Sequence, residues 1–409
     1  MIIHRPLVLK RFKNVRKWAF IYGRRKTGKS FLIENFIKYD EYFFVDRDRT
    51  LFSKLSGTQI SYDAFIEILM RGLKENKTIV VDEFHRLGDS FMDRLHAIGH
   101  GGKLILITST LFLAKKMLYV SSPLLGLFNE VQVHLVTLDD ALTALGGYGL
   151  DKRRLVESAI MLREPIMAPY FKAREGTMKA IMGAVMGSVL AVPALIGEIF
   201  QEEERSLSAT YEGIIRAVAS GKVVSGEISS SLYSRGLITK DDPSAIQPYL
   251  NNLVRIGILS RIAVYHRKKF VYKITSPLMR LFFYADEKYG LSRREMPDAE
   301  LERILHDVFP KIVEDNIREY LAWKYGLEEQ VLEAADYDVD GVLVKFKKPD
   351  MLLEVKWRKK ISGADIKDIE TSMGKIKARR RLLFVQDKKG LSSKELDIID
   401  ASDLLHLPR

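Results

Sequence analysis

Three stretches of this 409-residue chain carry side chains whose types and spacing could do chemistry. The first, "IYGRRKTGKS", holds Gly23, Arg24, Arg25, Lys26, Thr27, Gly28, Lys29 and Ser30 in the pattern G-x-x-x-x-G-K-S. Glycines let the backbone wrap a phosphate with no side chain in the way, and the loop amides and following helix N-terminus would face its charge. Lys29 is placed to reach the outer phosphates of ATP, and the Ser30 hydroxyl to ligate magnesium. The second stretch, "TIVVDEF", ends a buried strand in Asp82, which could hold that Mg2+ directly or through water. Glu83 follows at once, where it could orient or deprotonate an attacking water. The next apolar run, "LILITST", ends in Thr108, Ser109 and Thr110, hydroxyls that could sense the terminal phosphate or simply cap a strand end.

The third stretch lies near the end of the chain. Asp340 stands in "YDVDGVLV", and after a hairpin's length come Glu354 and Lys356 in "LLEVKWRKK". On a strand, residues i and i+2 point to the same face, so Glu354 and Lys356 would be side by side. Two carboxylates suit magnesium, a hard cation that prefers oxygen. Such an ion polarises a phosphodiester and lowers the pKa of a bound water, while Lys356 would position that water or offset the developing charge. Glu314, in the helical "PKIVEDNIREYLAW", could add a further carboxylate. Bases cluster nearby in sequence: Arg358, Lys359 and Lys360, then Lys375, Lys377, Arg379, Arg380 and Arg381, all suited to a phosphate backbone. By itself the spacing D-x13-E-x-K is a weak pattern.

The elements that must position these groups are legible as periodicity. Over residues 1–137, strand-like runs ("WAFIYG", "EYFFVD", "KTIVVDEF", "KLILITS", "VQVHLV") alternate with helix-period segments. That alternation predicts a mostly parallel sheet wrapped by helices, an αβα sandwich. Residues 138–205 read as an all-helical lid. Residues 206–276 read as three short helices and a hairpin around His266-Arg267-Lys268-Lys269, the order of a winged helix. In "AIQPYLNNLVRIG", Leu250, Leu253, Val254 and Ile256 would face the core, leaving Gln247, Asn251, Asn252 and Arg255 outward; Pro248 fits near the helix start. A winged helix places this helix in a DNA major groove and its hairpin on phosphates, so Gln247, Asn251, Arg255, Arg267, Lys268 and Lys269 are candidate DNA contacts. Residues 277–299 form a helical connector, and 300–409 a last α/β domain with a long helix, three strands, a helix and the strand "RRLLFVQ".

Composition narrows the partners. A formal charge of +12 favours a polyanion. The absence of cysteine excludes disulfides, thiolate zinc sites and a cysteine nucleophile, and suits a reducing cytoplasm. The first residues lack the apolar length of a signal peptide. The uncharged stretch 180–197, "AIMGAVMGSVLAVPALIG", is at the lower edge of a membrane span, but its Gly, Ala and Ser content and Pro193 predict a buried helix pair.

The P-loop, "VVDEFHRL", "LILITST" and the distal "SPLLG" resemble the archaeal ATPase family within the signal-transducing (STAND) branch of the AAA+ class. The resemblance implies a P-loop NTPase core that binds ATP with Mg2+, acts as a slow switch, and forms homo-oligomers. It also implies a winged helix and a C-terminal restriction-endonuclease-like domain of the PD-(D/E)XK nucleases, acting on DNA. Asp340, Glu354 and Lys356 fall on that pattern, with Val339 where a proline often stands, and Glu314 falls on its helical acid. Three departures point away from fast turnover. Leu127 follows "SPLLG" where the family has arginine, Glu164-Pro165 in "REPIMAPY" replaces a Gly-Gly-x-Pro element, and the segment before the P-loop is short. A scaffold that binds DNA under nucleotide control, with a silent nuclease fold, is the alternative.

Overall fold

The computed structural model describes residues 1–15, 18–98, 101–111, 126–171, 177–187, 189–203, 207–333 and 337–407. They form two compact units: residues 5–135 with 195–207, and residues 1–4, 136–194 and 208–409.

The front unit is built on a seven-stranded sheet. Its strands are β1 (Trp18–Tyr22), β2 (Glu41–Val45), β3 (Leu51–Ser53), β4 (Thr58–Ile60), β5 (Thr78–Asp82), β6 (Lys103–Thr108) and β7 (Phe128–Gln132), in the order β4-β3-β2-β5-β6-β1-β7. The five strands from β2 to β7 run parallel, and β3 and β4 add an antiparallel edge. Alternate side chains leave the sheet on opposite faces. Phe20, Phe43, Val81 and Leu106 pack against Phe65 and Leu69 of the helix Tyr62–Lys74 and Phe91 of the helix Asp89–Ile98. Ala19, Ile21, Tyr42, Val80 and Ile107 pack on the other face against Leu32 and Ile33 of the helix Lys29–Phe36 and Phe12 of the helix Pro6–Lys13. Burial on both faces is why these strands read as unbroken apolar runs. An α/β sandwich with a predominantly parallel sheet results, as the alternation predicts.

The second unit carries another seven-stranded sheet. Its strands are β8 (Leu259–Val264), β9 (Phe270–Ile274), β10 (Glu328–Val331), β11 (Gly341–Lys345), β12 (Lys348–Lys356), β13 (Arg380–Val385) and β14 (Asp397–Ile399), in the order β14-β13-β12-β11-β10-β8-β9. The helices Ala209–Ala219, Ser225–Ser234 and Pro243–Arg255 precede the hairpin β8–β9, as the periodicity predicts. That hairpin does not end a separate sheet. β8 pairs in parallel with β10, and the Tyr265 amide donates to the Val331 carbonyl at 2.8 Å. The segments 206–276 and 300–409, read apart in the sequence, therefore share one sheet. Periodicity marks where strands are, but not which strands pair across a connector.

Pro248 departs from expectation. The helix begins at Pro243, where Asp242 accepts the Ser244 amide at 2.8 Å, so Pro248 lies in the helix interior. It removes one backbone donor there. The uncharged stretch 180–197 forms parts of two short helices, Thr177–Gly187 and Ala191–Glu202. Among the described residues no single helix is long and apolar enough to cross a membrane.

Candidate functional site

The phosphate-binding loop runs from the end of β1 into the helix Lys29–Phe36, and two glycines shape it. Gly28 has φ 86°, a left-handed conformation that side chains disfavour. At Gly23 a Cβ would lie 2.1 Å from the Val133 carbonyl oxygen, so only glycine fits against the neighbouring chain. Lys29 Nζ donates to the carbonyls of Gly23 (2.9 Å) and Arg24 (3.1 Å), and Thr27 Oγ1 donates to the Arg24 carbonyl (2.9 Å). Burial pushes the Lys29 ammonium down to about 8, although Glu83 and Asp82 pull it up. A ligand that brings phosphate charge to this ammonium would offset the cost of that desolvation.

Arg5 is a part of the loop that sequence reasoning missed. Its buried guanidinium donates to the carbonyls of Thr27 (3.0 Å), His134 (2.8 Å) and Leu135 (3.0 Å), tying the loop to the chain beyond β7. No local pattern around "HRPL" signals this, because the partners lie far along the chain. Replacing Gly23 with alanine should abolish nucleotide binding and cost about 1–3 kcal/mol of stability, the scale of overpacking a tight site. Calorimetric titration with ATP and a thermal melt would check both.

A cavity of about 670 Å³ opens over the loop. Arg25, Lys26, Gly28, Lys29 and Ser30 line it, facing Glu83 and Ser109. Gly23, Arg24 and Thr27 shape the loop rather than line the cavity. Arg25 is held by Glu198, with Nε 2.5 Å from its carboxylate.

Asp82 ends β5 on the sheet face that packs the Lys29–Phe36 helix. Its Oδ2 accepts the Ser30 hydroxyl at 2.6 Å, and its Oδ1 accepts the Glu83 amide at 3.0 Å. Tyr42, also missed in the sequence, donates its hydroxyl to the same Oδ2 at 2.7 Å. Tyr42 pairs with Val80, two residues before Asp82, so only the strand register puts it on this carboxylate. Burial, reinforced by Glu83, holds the Asp82 carboxyl above the ordinary carboxylate range. The Ser30 hydroxyl and an Asp82 oxygen already meet, which supplies two of the oxygens a magnesium ion would take. Ser30 and Asp82 would hold it, and its charge would offset that of the nucleotide phosphates.

Glu83 has φ 55° and lines the cavity. Its carboxylate accepts the Ser109 amide (3.1 Å) and the Ser109 hydroxyl (2.7 Å to the nearer oxygen). The structure therefore joins the acidic pair to the end of β6 through Ser109. Thr108 meets the acid only through His85: its Oγ1 lies 2.9 Å from His85 Nδ1, which is 3.5 Å from Glu83 Oε2, and 3.2 Å from Thr110 Oγ1. Arg86 also lines the cavity, donating to the Val45 carbonyl at 2.8 Å. Of the "SPLLG" motif, residues 122–125 lie outside the described residues. Leu127 packs against the apolar core.

The third stretch lies in the second unit. Asp340 immediately precedes β11, Glu354 and Lys356 lie near the end of β12, and the two strands pair antiparallel. Glu354 Oε2 accepts the Asp340 amide at 3.3 Å, Asp340 Oδ2 accepts the Val355 amide at 2.8 Å, and Lys356 Nζ donates to Glu354 Oε1. Burial pushes the Asp340 carboxyl up to about 8, with Glu314 and then Glu354 adding to the shift. Burial also raises Glu354.

Glu314 comes close enough to act on Asp340, but it has cations of its own. Arg318 Nη1 donates to Glu314 Oε1 at 2.8 Å and to the Asp340 carbonyl at 2.9 Å, and Lys311 pairs with Glu314 as well. Among the described residues no group of three or more histidine or carboxylate side chains is arranged to hold a metal ion. Asp340 and Glu354 therefore stand as a pair, and Glu314 is not grouped with them as a third metal ligand.

Several of the candidate DNA contacts have partners within the fold. Gln247 donates to Asn251 (3.3 Å) and to the Tyr272 hydroxyl (3.2 Å), and Asn251 and Arg255 are exposed on their helix. Lys269 and Arg267 pair with Glu333 at 2.6 and 3.7 Å, while Lys268 is exposed at the hairpin turn. Arg358 pairs with Asp365, Arg379 with Asp350 at 3.3 Å, and the Arg380 guanidinium lies 5.4 Å from the Tyr325 ring centroid. Arg380 stands opposite Met351, three residues before Glu354, so Arg379 and Arg380 enter the sheet about 10 Å along the strand from the Glu354 end.

Residues 15–140 match the family described as AAA domain. A comparison with curated proteins yields no match. Among solved structures, the Aeropyrum pernix ORC2 protein aligns at 11% identity and a TM-score of 0.37, over 76% of this chain and 92% of its own. The Aeropyrum pernix ORC1 protein, solved in complex with DNA, aligns at 16% identity and a TM-score of 0.32, over 72% and 94%. A STAND protein with a tetratricopeptide repeat sensor from Pyrococcus horikoshii aligns at 14% identity and a TM-score of 0.29, over 78% and 51%. Likeness at that level assigns no activity. The family match spans β1 through β7 and with them the loop, the acidic pair and Ser109: the front of this chain is a nucleotide-binding P-loop ATPase domain of the AAA type.

Proposed function

We propose that the chain is an ATP-dependent switch that hydrolyses slowly and whose second unit acts on DNA, through a winged helix over residues 206–276 and a magnesium-dependent nuclease centre at Asp340, Glu354 and Lys356. In the front unit, Glu83 takes the proton of the attacking water, Ser109 holds its carboxylate, and Lys29 meets the outer phosphates. Slow turnover is supported by Leu127, which offers no cation where the resemblance calls for one. A homo-oligomer belongs to the same reading.

The observation that carries the nuclease is that Glu354 accepts the Asp340 amide, Asp340 accepts the adjacent Val355 amide, and Lys356 Nζ donates to Glu354. Asp340 and Glu354 would hold the ion, which supplies a polarised phosphate and a more acidic water. Lys356 lies beside them to steady negative charge. The basic balance of the chain supports a polyanionic substrate.

One observation favours a second reading, DNA binding without cleavage. Glu314 is already paired with Arg318 and Lys311, which leaves the centre one carboxylate short of a fuller metal set. The test is cleavage of linear, supercoiled and branched DNA with magnesium or manganese, with and without ATP. Wild type would run beside Glu354→Ala and Lys29→Ala. Cleavage lost in Glu354→Ala and altered in Lys29→Ala is expected. Wild type that binds DNA but never cuts it would leave the second reading.

A further inference from the structure

The hairpin β11–β12 closes on a two-residue turn, with Lys345 opposite Lys348 and Phe346-Lys347 between them. Both turn residues have positive φ, 48° at Phe346 and 65° at Lys347. A turn of this kind suits the right-handed twist of a hairpin, and it favours asparagine and glycine because they tolerate left-handed backbone. An aromatic residue is among the poorest choices for that geometry. The Phe346 side chain gains nothing from the core either, since the residue is 91% exposed. Lys345, Lys347 and Lys348 around it are exposed too. A residue that is strained in the backbone and bare in the side chain is a reason to look for a role outside folding.

The surroundings indicate the kind of partner. β13 runs parallel to β12, with Arg380 opposite Met351 and the Arg379 amide on the Asp350 carbonyl at 3.1 Å. Arg379 and Arg380 therefore enter the sheet between Glu354 and the turn. Asp350 and Glu328 are the acids there; Asp350 is paired with Arg379, and Glu328 is opposite Val344. One large flat side chain among cations is too little apolar surface to seat a protein or anchor in a bilayer. It does match a polyanion that carries flat apolar faces of its own. Aromatic side chains on basic hairpins stack on bases while neighbouring lysines meet phosphates.

We propose that the β11–β12 tip is a nucleic-acid contact in which Phe346 stacks on a base or wedges between two, and Lys345, Lys347 and Lys348 hold the flanking phosphates. This rests on the reading that the second unit acts on DNA, and adds a contact separate from the hairpin His266–Lys269 and from the Asp340 pair.

The test uses the full chain and fluorescence anisotropy with labelled single-stranded and duplex DNA, from about 50 to about 200 mM salt. Phe346→Ala should weaken binding by about tenfold or more without changing the salt dependence. Replacing Lys345, Lys347 and Lys348 together with glutamine should lower the slope of log affinity against log salt by about 2–3. The pair Phe346→Asn with Lys347→Gly installs the favoured turn, so it should raise the melting temperature while losing affinity as Phe346→Ala does. That opposition of signs separates a binding role from misfolding. Phe346→Ala binding DNA as tightly as wild type would overturn the tip contact and leave the DNA reading standing. Wild type that binds no DNA would overturn both. Phe346-dependent flotation with phosphatidylserine vesicles, without Phe346-dependent DNA binding, would assign the tip to membranes instead.

Discussion

Glu83→Gln is expected to slow single-turnover ATP hydrolysis by about 10²–10⁴-fold, the usual contribution of a positioned general base. Nucleotide affinity should stay as it is, because the groups that meet phosphate and magnesium are Lys29, Ser30 and Asp82, and all three remain. The effect is large because Glu83 lines the cavity opposite the loop with its carboxylate held by Ser109, while Asp82 is occupied by Ser30 and Tyr42. Glutamine keeps one oxygen to accept from Ser109 but has no basic site for a proton. Ser109→Ala should lower the rate less, since it frees the Glu83 carboxylate without removing it. Rapid-quench hydrolysis with calorimetric ATP titration would check the pair of statements. A Glu83→Gln protein that hydrolyses at the wild-type rate would remove Glu83 from the role of base.

The second large effect is on stability. Arg318 is buried in the helix Asp298–Tyr325 and pairs with Glu314, Asp315 and Glu329, while also donating to the Asp340 carbonyl. Burial alone would lower its pKa, but the acids around it raise it. Arg318→Ala should cost about 3–5 kcal/mol, because it leaves several buried carboxylates without their shared cation. Asp315 keeps Arg280 and Glu329 keeps Lys273, but among the described residues Glu314 is left with Lys311, which is more exposed. Arg318→Lys should recover little, since an ammonium cannot reach partners on several sides as a planar guanidinium does. Urea unfolding would read the loss. Arg294→Ala, which removes a surface pair with Glu300, should leave the midpoint unmoved. An Arg318→Ala midpoint equal to wild type would show that these acids are neutralised in some other way.

Gly341 belongs to the same arrangement. A Cβ there would meet Arg318 Cδ at 2.8 Å and Cγ at 3.0 Å, so the glycine beside Asp340 leaves room for the arginine that crosses it. The reason for the glycine lies in a helix more than twenty residues earlier, which no local pattern reports.

The sequence by itself determined the phosphate loop, the acidic pair and the alternating elements around them. Each is a local property. A glycine-lysine-serine turn needs only a strand before it and a helix after it, and a strand buried on both faces announces itself as an apolar run. The hairpin that brings Asp340 beside Glu354 was legible for the same reason, since its two strands are consecutive.

Only the tertiary structure decided what those groups touch. Strand register put the Tyr42 hydroxyl on Asp82, chose Ser109 over Thr108 as the partner of Glu83, and paired β8 with β10 across an intervening helical stretch. A helix packed on the sheet put Arg318 on Glu329 and on the Asp340 carbonyl. These contacts join residues far apart along the chain. They depend on which face and which register each element adopts, and periodicity leaves both open because it records burial without naming the partner.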